Sequence, residues 1–373
     1  MPVTVRPVTS QEDLQAFIDF PYRLHRDETC WIPAPPEARA QVLDRDQNPY
    51  FEHADAEYFL AEREGKEVGQ VIAHVDHALN EYQGNDWGLF GFFESEDDQE
   101  VANALLGESA RWLAERGRGT MVGPFSFSAK EDPGFLVEGY EHRPVIFQPW
   151  HPPHYRRLME GAGLSKSVDV LWRELDLMQV PEALRTQLAR LTARIENRHG
   201  VTVRGLREDD IHAELERVYR FFPPIFKDHW GYVPLTDREL IGGLEFATQI
   251  MGPGTLVVER DGELIGASMI VPDFYQRLTH ENGEVTYTPE RKIDQTRFMF
   301  MAVLPQYRHL GVTAALCHGH LEMAKRDRIE HVVIGWSVED NEEMNIAVAR
   351  LGLEVSRRHR VYEKELSPSS ASG

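Results

Sequence analysis

The chain is short of cysteine, of lysine and of long apolar runs, and each shortage removes a class of explanation. Two cysteines, Cys30 and Cys317, cannot build a disulfide framework and fit a reducing compartment. Only seven of the 40 basic residues are Lys, an excess of Arg that reflects genome composition more than function. The longest apolar stretch, Phe298 to Leu304, is far too short to cross a membrane. The opening Met1-Pro2-Val3-Thr4-Val5-Arg6 lacks the charged-then-apolar pattern of a secretory leader. A cytoplasmic protein with no membrane partner is therefore expected. Positive charge is also scarce: 40 Lys and Arg face 61 Asp and Glu, a net charge of −21. Such a chain repels phosphates, which speaks against a nucleic-acid partner. What remains is ample for two domains, with 373 residues of which 42% are hydrophobic and 10% aromatic. The tail, residues 367–373, is Ser-rich and expected to be disordered.

The two domains read as copies. Val3-Thr4-Val5-Arg6 returns 198 residues later as Val201-Thr202-Val203-Arg204, and each is followed by an acidic turn and an amphipathic pattern, Gln11–Arg23 or Asp209–Phe222. Phe59 to Gly69 returns 197 residues later as Leu256 to Gly266, each a strand, a charged-Gly turn and a second strand. Both halves continue alike. A strand pattern, Trp87–Phe93 or Arg297–Leu304, precedes a helix with Val101, Leu105 and Trp112, or Ala314, Cys317, Leu321 and Ala324, on one face. A strand follows (Met121–Phe127 or His331–Trp336), then a helix ending near Gly163 or Gly352, then a closing strand near Val168–Leu175 or Arg358–Glu365. Each half is thus mixed α/β, an antiparallel meander leading into β-α-β-α-β. Pro181–His199 is polar and Leu-periodic, with Pro to start it and Gly200 to stop it, and reads as a connecting helix.

The segment Val303-Leu304-Pro305-Gln306-Tyr307-Arg308-His309-Leu310-Gly311-Val312-Thr313-Ala314 lies between a buried strand and an amphipathic helix. A Gly turn there exposes the first backbone N–H groups of the helix, which lack internal partners and sit at the positive end of its dipole. Arg308 adds a charge that grips phosphate. Further on come Trp336 to Met344, containing Glu339, Asp340 and Asn341, and then Gly352-Leu353.

This order resembles the coenzyme A-binding half of the GNAT superfamily of N-acetyltransferases. In that family a Gln/Arg-x-x-Gly-x-Gly/Ala turn follows the fourth strand and cradles the coenzyme A pyrophosphate. Arg308 to Thr313 matches except that Thr313 replaces Gly or Ala, and Asn341 matches a polar position after the fifth strand. The resemblance covers most of 201–366 and extends, degraded, over 1–178. It implies two tandem GNAT-like domains, each a twisted mixed sheet flanked by helices (α/β, an α+β mixed sheet), at 1–178 and 201–366 and joined by 179–200. It implies acetyl-CoA or another acyl-CoA as co-substrate, held by residues 303 and 308–314 and by Asn341, and an amine acceptor, small or peptide; a homodimer is compatible with it. At the first copy of the turn stand Glu94-Ser95-Glu96-Asp97-Asp98-Gln99-Glu100, five carboxylates that would repel a pyrophosphate and cap the helix in solvent.

The resemblance also exposes gaps. Many members protonate the leaving thiolate with a Tyr seven residues after the Asn, where this chain has Val348. Many carry a Glu on the fourth strand as base, where Phe298 to Ala302 offer none. A backbone N–H near Val303 would face the thioester carbonyl. A thiol pKa near 8.5 lets the thiolate leave unaided. Glu339 and Asp340 are candidate bases, with capping of the following helix as their alternative role. Asp228-His229-Trp230-Gly231-Tyr232 falls where the family contacts substrate. His229 could serve as a base, with Asp228, Trp230 and Tyr232 touching the acceptor; a loop packed by its own rings is the alternative.

Other signals are weaker. His151-Pro152-Pro153-His154 has two imidazoles but no Cys or carboxylate at metal spacing, and no metal is expected. Arg357-Arg358-His359-Arg360 reads as charge guarding an exposed strand, or as a partner for the coenzyme A 3′-phosphate. The long connection from Gly123 to Gly134 could close over the second cleft. The leading functional reading is an acyl-CoA-dependent N-acyltransferase. A non-catalytic acyl-CoA-responsive protein comes second, and a scaffold without ligand third.

Overall fold

The computed structural model describes the chain except residues 128–132, 251–253, 350 and 368–373 and the side chains of 245–247, 249, 250, 343 and 347. Apart from Ser367, the expected disordered tail lies outside the described residues. The N-terminal half runs β1 (Thr4–Pro7), α1 (Gln11–Leu24), α2 (Pro36–Leu43), β2 (Ala54–Arg63), β3 (Lys66–Asp76), α3 (His77–Gln83), β4 (Trp87–Ser95), α4 (Gln99–Glu115), β5 (Thr120–Gly123), β6 (Phe135–Glu138), α5 (His154–Gly161) and β7 (Ser165–Asp176). Then come α6 (Glu182–His199), β8 (Val201–Gly205), α7 (Ile211–Arg220), α8 (Pro223–Phe226), α9 (Asp237–Ile250), β9 (Thr255–Arg260), β10 (Glu263–Pro272) and the hairpin β11 (Leu278–Glu281) and β12 (Glu284–Tyr287). The chain ends on β13 (Gln295–Val303), α10 (Val312–Asp327), β14 (His331–Val338), α11 (Glu342–Ala349) and β15 (Val355–Glu365).

The local signals act as their chemistry requires. Ser10 and Asp13 close a capping box at the start of α1. The connector α6 stops at Gly200, which adopts φ +61° as a left-handed C-cap. Val101, Leu105 and Trp112 are all buried on α4, under the sheet of the N-terminal half.

The strands join in one 13-stranded mixed sheet, in the order β1, β2, β3, β4, β5, β15, β7, β14, β13, β10, β9, β8, with β6 also on β15. The closing strands are exchanged. β15, the last strand of the chain, pairs antiparallel with β5, while β7, the last strand of the N-terminal half, pairs antiparallel with β14. β7 and β15 also pair with each other, so the sheet is continuous across the two halves. Sequence order alone assigns each closing strand to its own half.

This arrangement corrects the reading of Arg357 to Arg360. Their strand is central and has no edge to guard. Arg357 is 3% exposed and pairs with Glu174 at 2.6 Å. Arg358 and Arg360 reach the buried carboxylate of Asp169 at 3.1 and 2.8 Å. They are the internal counter-charges of the exchanged strands. The strand expected over Met121–Phe127 ends at Gly123.

Candidate functional site

The site begins with two strands that part. β13 and β14 pair in parallel from Gln295–His331 to Phe298–Ile334 and no further. At that point β13 bulges: Met269 of β10 faces Phe300 and Ile270 faces Phe298, so Met299 has no opposite number. Beyond Ile334 the register of β14 shifts and Ser337 and Val338 continue along β7 instead. The exchanged strand of the N-terminal half thus draws β14 away from β13. In the resulting split Phe298, Met299, Phe300 and Met301 are all half-buried in the middle of a large sheet. The amide of Leu304 donates to Ile265 at 3.0 Å, so by antiparallel alternation Ala302 and Phe300 also turn their backbone groups to β10. Met301 and Val303 then turn theirs toward the side that β14 has left.

At the mouth of the split lies the turn. Pro305–Leu310 forms a short 3-10 helix, held by the Tyr307 hydroxyl donating to Glu263 at 2.8 Å. Gly311 follows at φ +91°, a conformation costly for any side chain, and begins α10 with no side-chain cap. The first N–H groups of α10 are therefore directed outward for an acceptor from elsewhere. Arg308, His309 and Thr313 are exposed around them, Ala314 is half-buried, and Leu310 and Val312 pack inward with Ile195 of α6.

The matching turn in the N-terminal half is occupied. Asp98 caps α4 by accepting from the Glu100 amide at 2.8 Å. Arg63 binds Asp98 and Glu100 at 2.6 and 2.8 Å, and Arg157 binds Asp97. Glu94 was expected in solvent with these residues, but it is turned inward, with its side chain 16% exposed. It accepts from the Tyr155 hydroxyl at 2.6 Å and meets His25 at 2.7 Å. Burial alone would raise its pKa, but His25 and Tyr155 hold it below the usual value. The split is filled as well. Phe125 donates its amide to Phe90 at 2.8 Å, and a Cβ on Gly91 would stand 1.7 Å from the Phe125 carbonyl oxygen. Phe135 of β6 packs on Phe90, Phe93 and Tyr155. Phe127 is buried in the core of this half, whereas Phe125 is buried where the halves meet, among Val168, Val233 and Trp230.

The candidate carboxylates have definite places. Glu339 accepts from Lys166 at 2.7 Å and from the Asp169 amide at 3.0 Å, both on β7, which gives it a holding role at the exchanged strand. Asp340 is exposed. Asn341 caps α11 by accepting from the Met344 amide at 3.2 Å. Val348 is 5% exposed on α11.

Residues 215–353 match the family model described as acetyltransferase (GNAT) family. The C-terminal half is a GNAT domain. Over its whole length the chain is 26% identical to Protein YghO of Escherichia coli strain K12, covering 97% of this chain and 95% of that one. It is also 26% identical to the bacterial ceramide synthase of Caulobacter vibrioides, covering 98% of each. Among solved structures, a tandem GNAT protein from the clavulanic acid biosynthesis pathway superposes with a TM-score of 0.57 at 13% identity, covering 99% of this chain and all of that one. That likeness concerns the fold, two GNAT-like halves in tandem.

Within this GNAT frame the loop after α8 has a partner that neither sequence reading named. It docks on the N-terminal half. Gln83 of α3 donates to the carbonyls of Tyr232 at 2.6 Å and His229 at 3.4 Å. Trp230 stacks on Phe125 at 5.8 Å and meets Trp87 and Trp336. Asp228 and His229 are exposed at the loop surface, with the His229 ring against Phe226.

Two further groups escaped the sequence reading. Ser268 and His320 bond across β10 and α10, and burial pushes the imidazole down to about 4, so it is neutral. Arg173 of β7 reaches across the strand exchange to Ser337 and Asn345. An Arg inside a strand pattern gave no signal that its partners lie more than 160 residues away.

Proposed function

We propose that the chain is an acyl-CoA-dependent N-acyltransferase whose C-terminal half binds the acyl-CoA and whose acceptor is a long-chain amine. The uncapped start of α10 behind Gly311, at the mouth of the β13–β14 split, carries this reading. Its outward N–H groups and Arg308 suit the pyrophosphate. The split suits the pantetheine arm, with the Met301 and Val303 amides available to polarise the thioester carbonyl. The Caulobacter relative's name supports a long-chain amino alcohol as acceptor and a fatty acyl group as donor. The apolar walls support it too: Phe298 to Met301 on β13 and Phe222 and Tyr219 beside Phe300. With no carboxylate on the middle of β13, the ammonium proton passes to water, with Asp340 and His229 as exposed relays.

Calorimetry with acetyl-CoA and a long-chain acyl-CoA, followed by mass spectrometry of products from a long-chain amino alcohol and a peptide amine, tests this. Amide formation on the amino alcohol is the expected result. The second reading, acyl-CoA sensing without turnover, is favoured by Val348 and by the bare β13, and binding with no product from either amine would establish it instead. Absence of binding, or binding unchanged in the Arg308→Ala, Gly311→Trp double variant, overturns both.

A further inference from the structure

The GNAT half lacks a tyrosine where the resemblance gives an acid, and Val348 stands there, buried. A departing thiolate still carries a charge that must be met. Three residues earlier on α11, and so on the same side of the helix, is Asn345. Its Oδ1 accepts from the Arg173 Nη2 at 3.0 Å and from the Ser337 hydroxyl at 3.0 Å. The Arg173 Nη1 donates to the Ser337 hydroxyl at 3.2 Å, and the Asn345 amide donates to the Val338 and Glu339 carbonyls at 3.1 and 2.8 Å.

Arg173 is 5% exposed, both of its partners are neutral, and among the described residues it makes no ion pair. Its charged neighbour is Arg358, of the same sign and already committed to Glu138 and Asp169. A guanidinium stays protonated even when buried. An interior cation without an anion is costly and marks a place where negative charge is to arrive. The register gives that place. Arg173 pairs with Ile334, whose partner on the other side, Phe298, is the last β13 residue held by β14. The split opens directly beyond.

We propose that Arg173, contributed by the N-terminal half on its exchanged strand, supplies the positive charge that holds the coenzyme A sulfur as thiolate in the C-terminal site. This rests on the acyl-CoA reading above. The amine nitrogen attacks the thioester carbonyl, the C–N bond forms and the C–S bond breaks. The sulfur leaves with the bonding pair, and the ammonium proton passes to water. Arg173 gives up no proton; its field lowers the energy of the anion.

The test uses the full chain and coenzyme A itself, titrating the bound thiol by its ultraviolet thiolate absorbance. The ligand-free chain, with Cys30 and Cys317, serves as blank. Against free coenzyme A titrated in the same way, the bound thiol is expected to titrate about one unit lower or more. Arg173→Gln should return it to the free value, and Arg173→Lys should keep part of the shift. Asn345→Asp, which neutralises the guanidinium without removing it, should raise it and covers the case in which Arg173→Gln fails to fold. With acyl-CoA, Arg173→Gln should lower kcat about tenfold, the effect of one unit in leaving-group energy, with KM little changed. A bound thiol that titrates as the free thiol, or one unmoved by both Arg173→Gln and Asn345→Asp, overturns the proposal alone. Absence of coenzyme A binding overturns the acyl-CoA reading and this proposal with it.

Discussion

Two strand–turn–helix units hold matching places in the chain, β4 to α4 and β13 to α10, and they end in opposite chemistry. Both first strands bulge near the point where parallel pairing stops. In the first unit the helix start is capped by Asp98, its acids are paired with Arg63 and Arg157, and Phe125 and Phe135 fill the split. In the second the helix starts at Gly311 without a side-chain cap, and β14 is drawn aside by β7. One fold therefore gives either a sealed helix start or an uncapped one. What decides is whether the helix start meets its own carboxylate and whether the split beside it is filled. The sealed half is not idle, since its last strand holds the open half open.

The strand exchange is the part of this comparison with the most to lose. Asp169 is 2% exposed and meets Lys166, Arg358 and Arg360. Asp169→Ala removes the carboxylate those cations share, leaves Arg360 only Glu160 at 4.0 Å, and should cost about 3–5 kcal/mol. Urea unfolding should show both halves losing this stability in a single transition; a loss confined to one half would mean that they fold independently. The sign of the pH effect follows from the same contacts. Burial alone would raise the Asp169 pKa, but Arg360 and Lys166 hold it below the usual value. Its contribution should be full above an unfolded pKa near 3.9 and fade as the pH falls through the lower folded value.

A smaller change should convert the open turn into a copy of the closed one. Gly311→Asp places a carboxylate where Asp98 stands in the other half, and Asp tolerates the left-handed backbone better than most residues. The carboxylate then takes the N–H groups that a pyrophosphate would use. Coenzyme A binding should weaken by about 3 kcal/mol, roughly a hundredfold, in calorimetry. The left-handed backbone at φ +91° should make the same change cost about 1–2 kcal/mol of folding stability. Unchanged affinity would show that the helix start is not where the ligand's phosphates sit. The reverse change, Asp98→Ala, should cost only about 1 kcal/mol of stability and create no coenzyme A site, because the split beside it stays filled.

Much of this was legible in the chain. The repeat at offsets of 198 and 197, the connector stopping at Gly200, and the turn from Arg308 to Ala314 all depend on local spacing, which is where side-chain chemistry acts directly. The exchange of β7 and β15 was not legible, since an alternating strand carries the same pattern whichever neighbour it joins. That blindness explains the misreading of Arg357, Arg358 and Arg360, whose counter-charges Glu174 and Asp169 lie more than 180 residues away. Glu94 was misread for a similar reason. Within a run of acids it looks solvated, and nothing nearby in sequence announces His25 or Tyr155.

The smallest expected effect concerns how coenzyme A would reach the turn at Gly311. The chain carries a net charge of −21, and coenzyme A arrives with several negative charges of its own. Long-range repulsion opposes the encounter, while Arg308 and the positive end of α10 act only close by. Salt screens the distant term first, because the Debye length falls from about 30 Å at 0.01 M to about 8 Å at 0.15 M. The association rate measured by stopped flow should therefore rise on the order of a few-fold across that range, and dissociation should change less. In Gly311→Asp the added negative charge should steepen the rise. A rate that falls steadily from the lowest salt would place the entrance in a positive local field, and the acidic surface would then have no part in the approach.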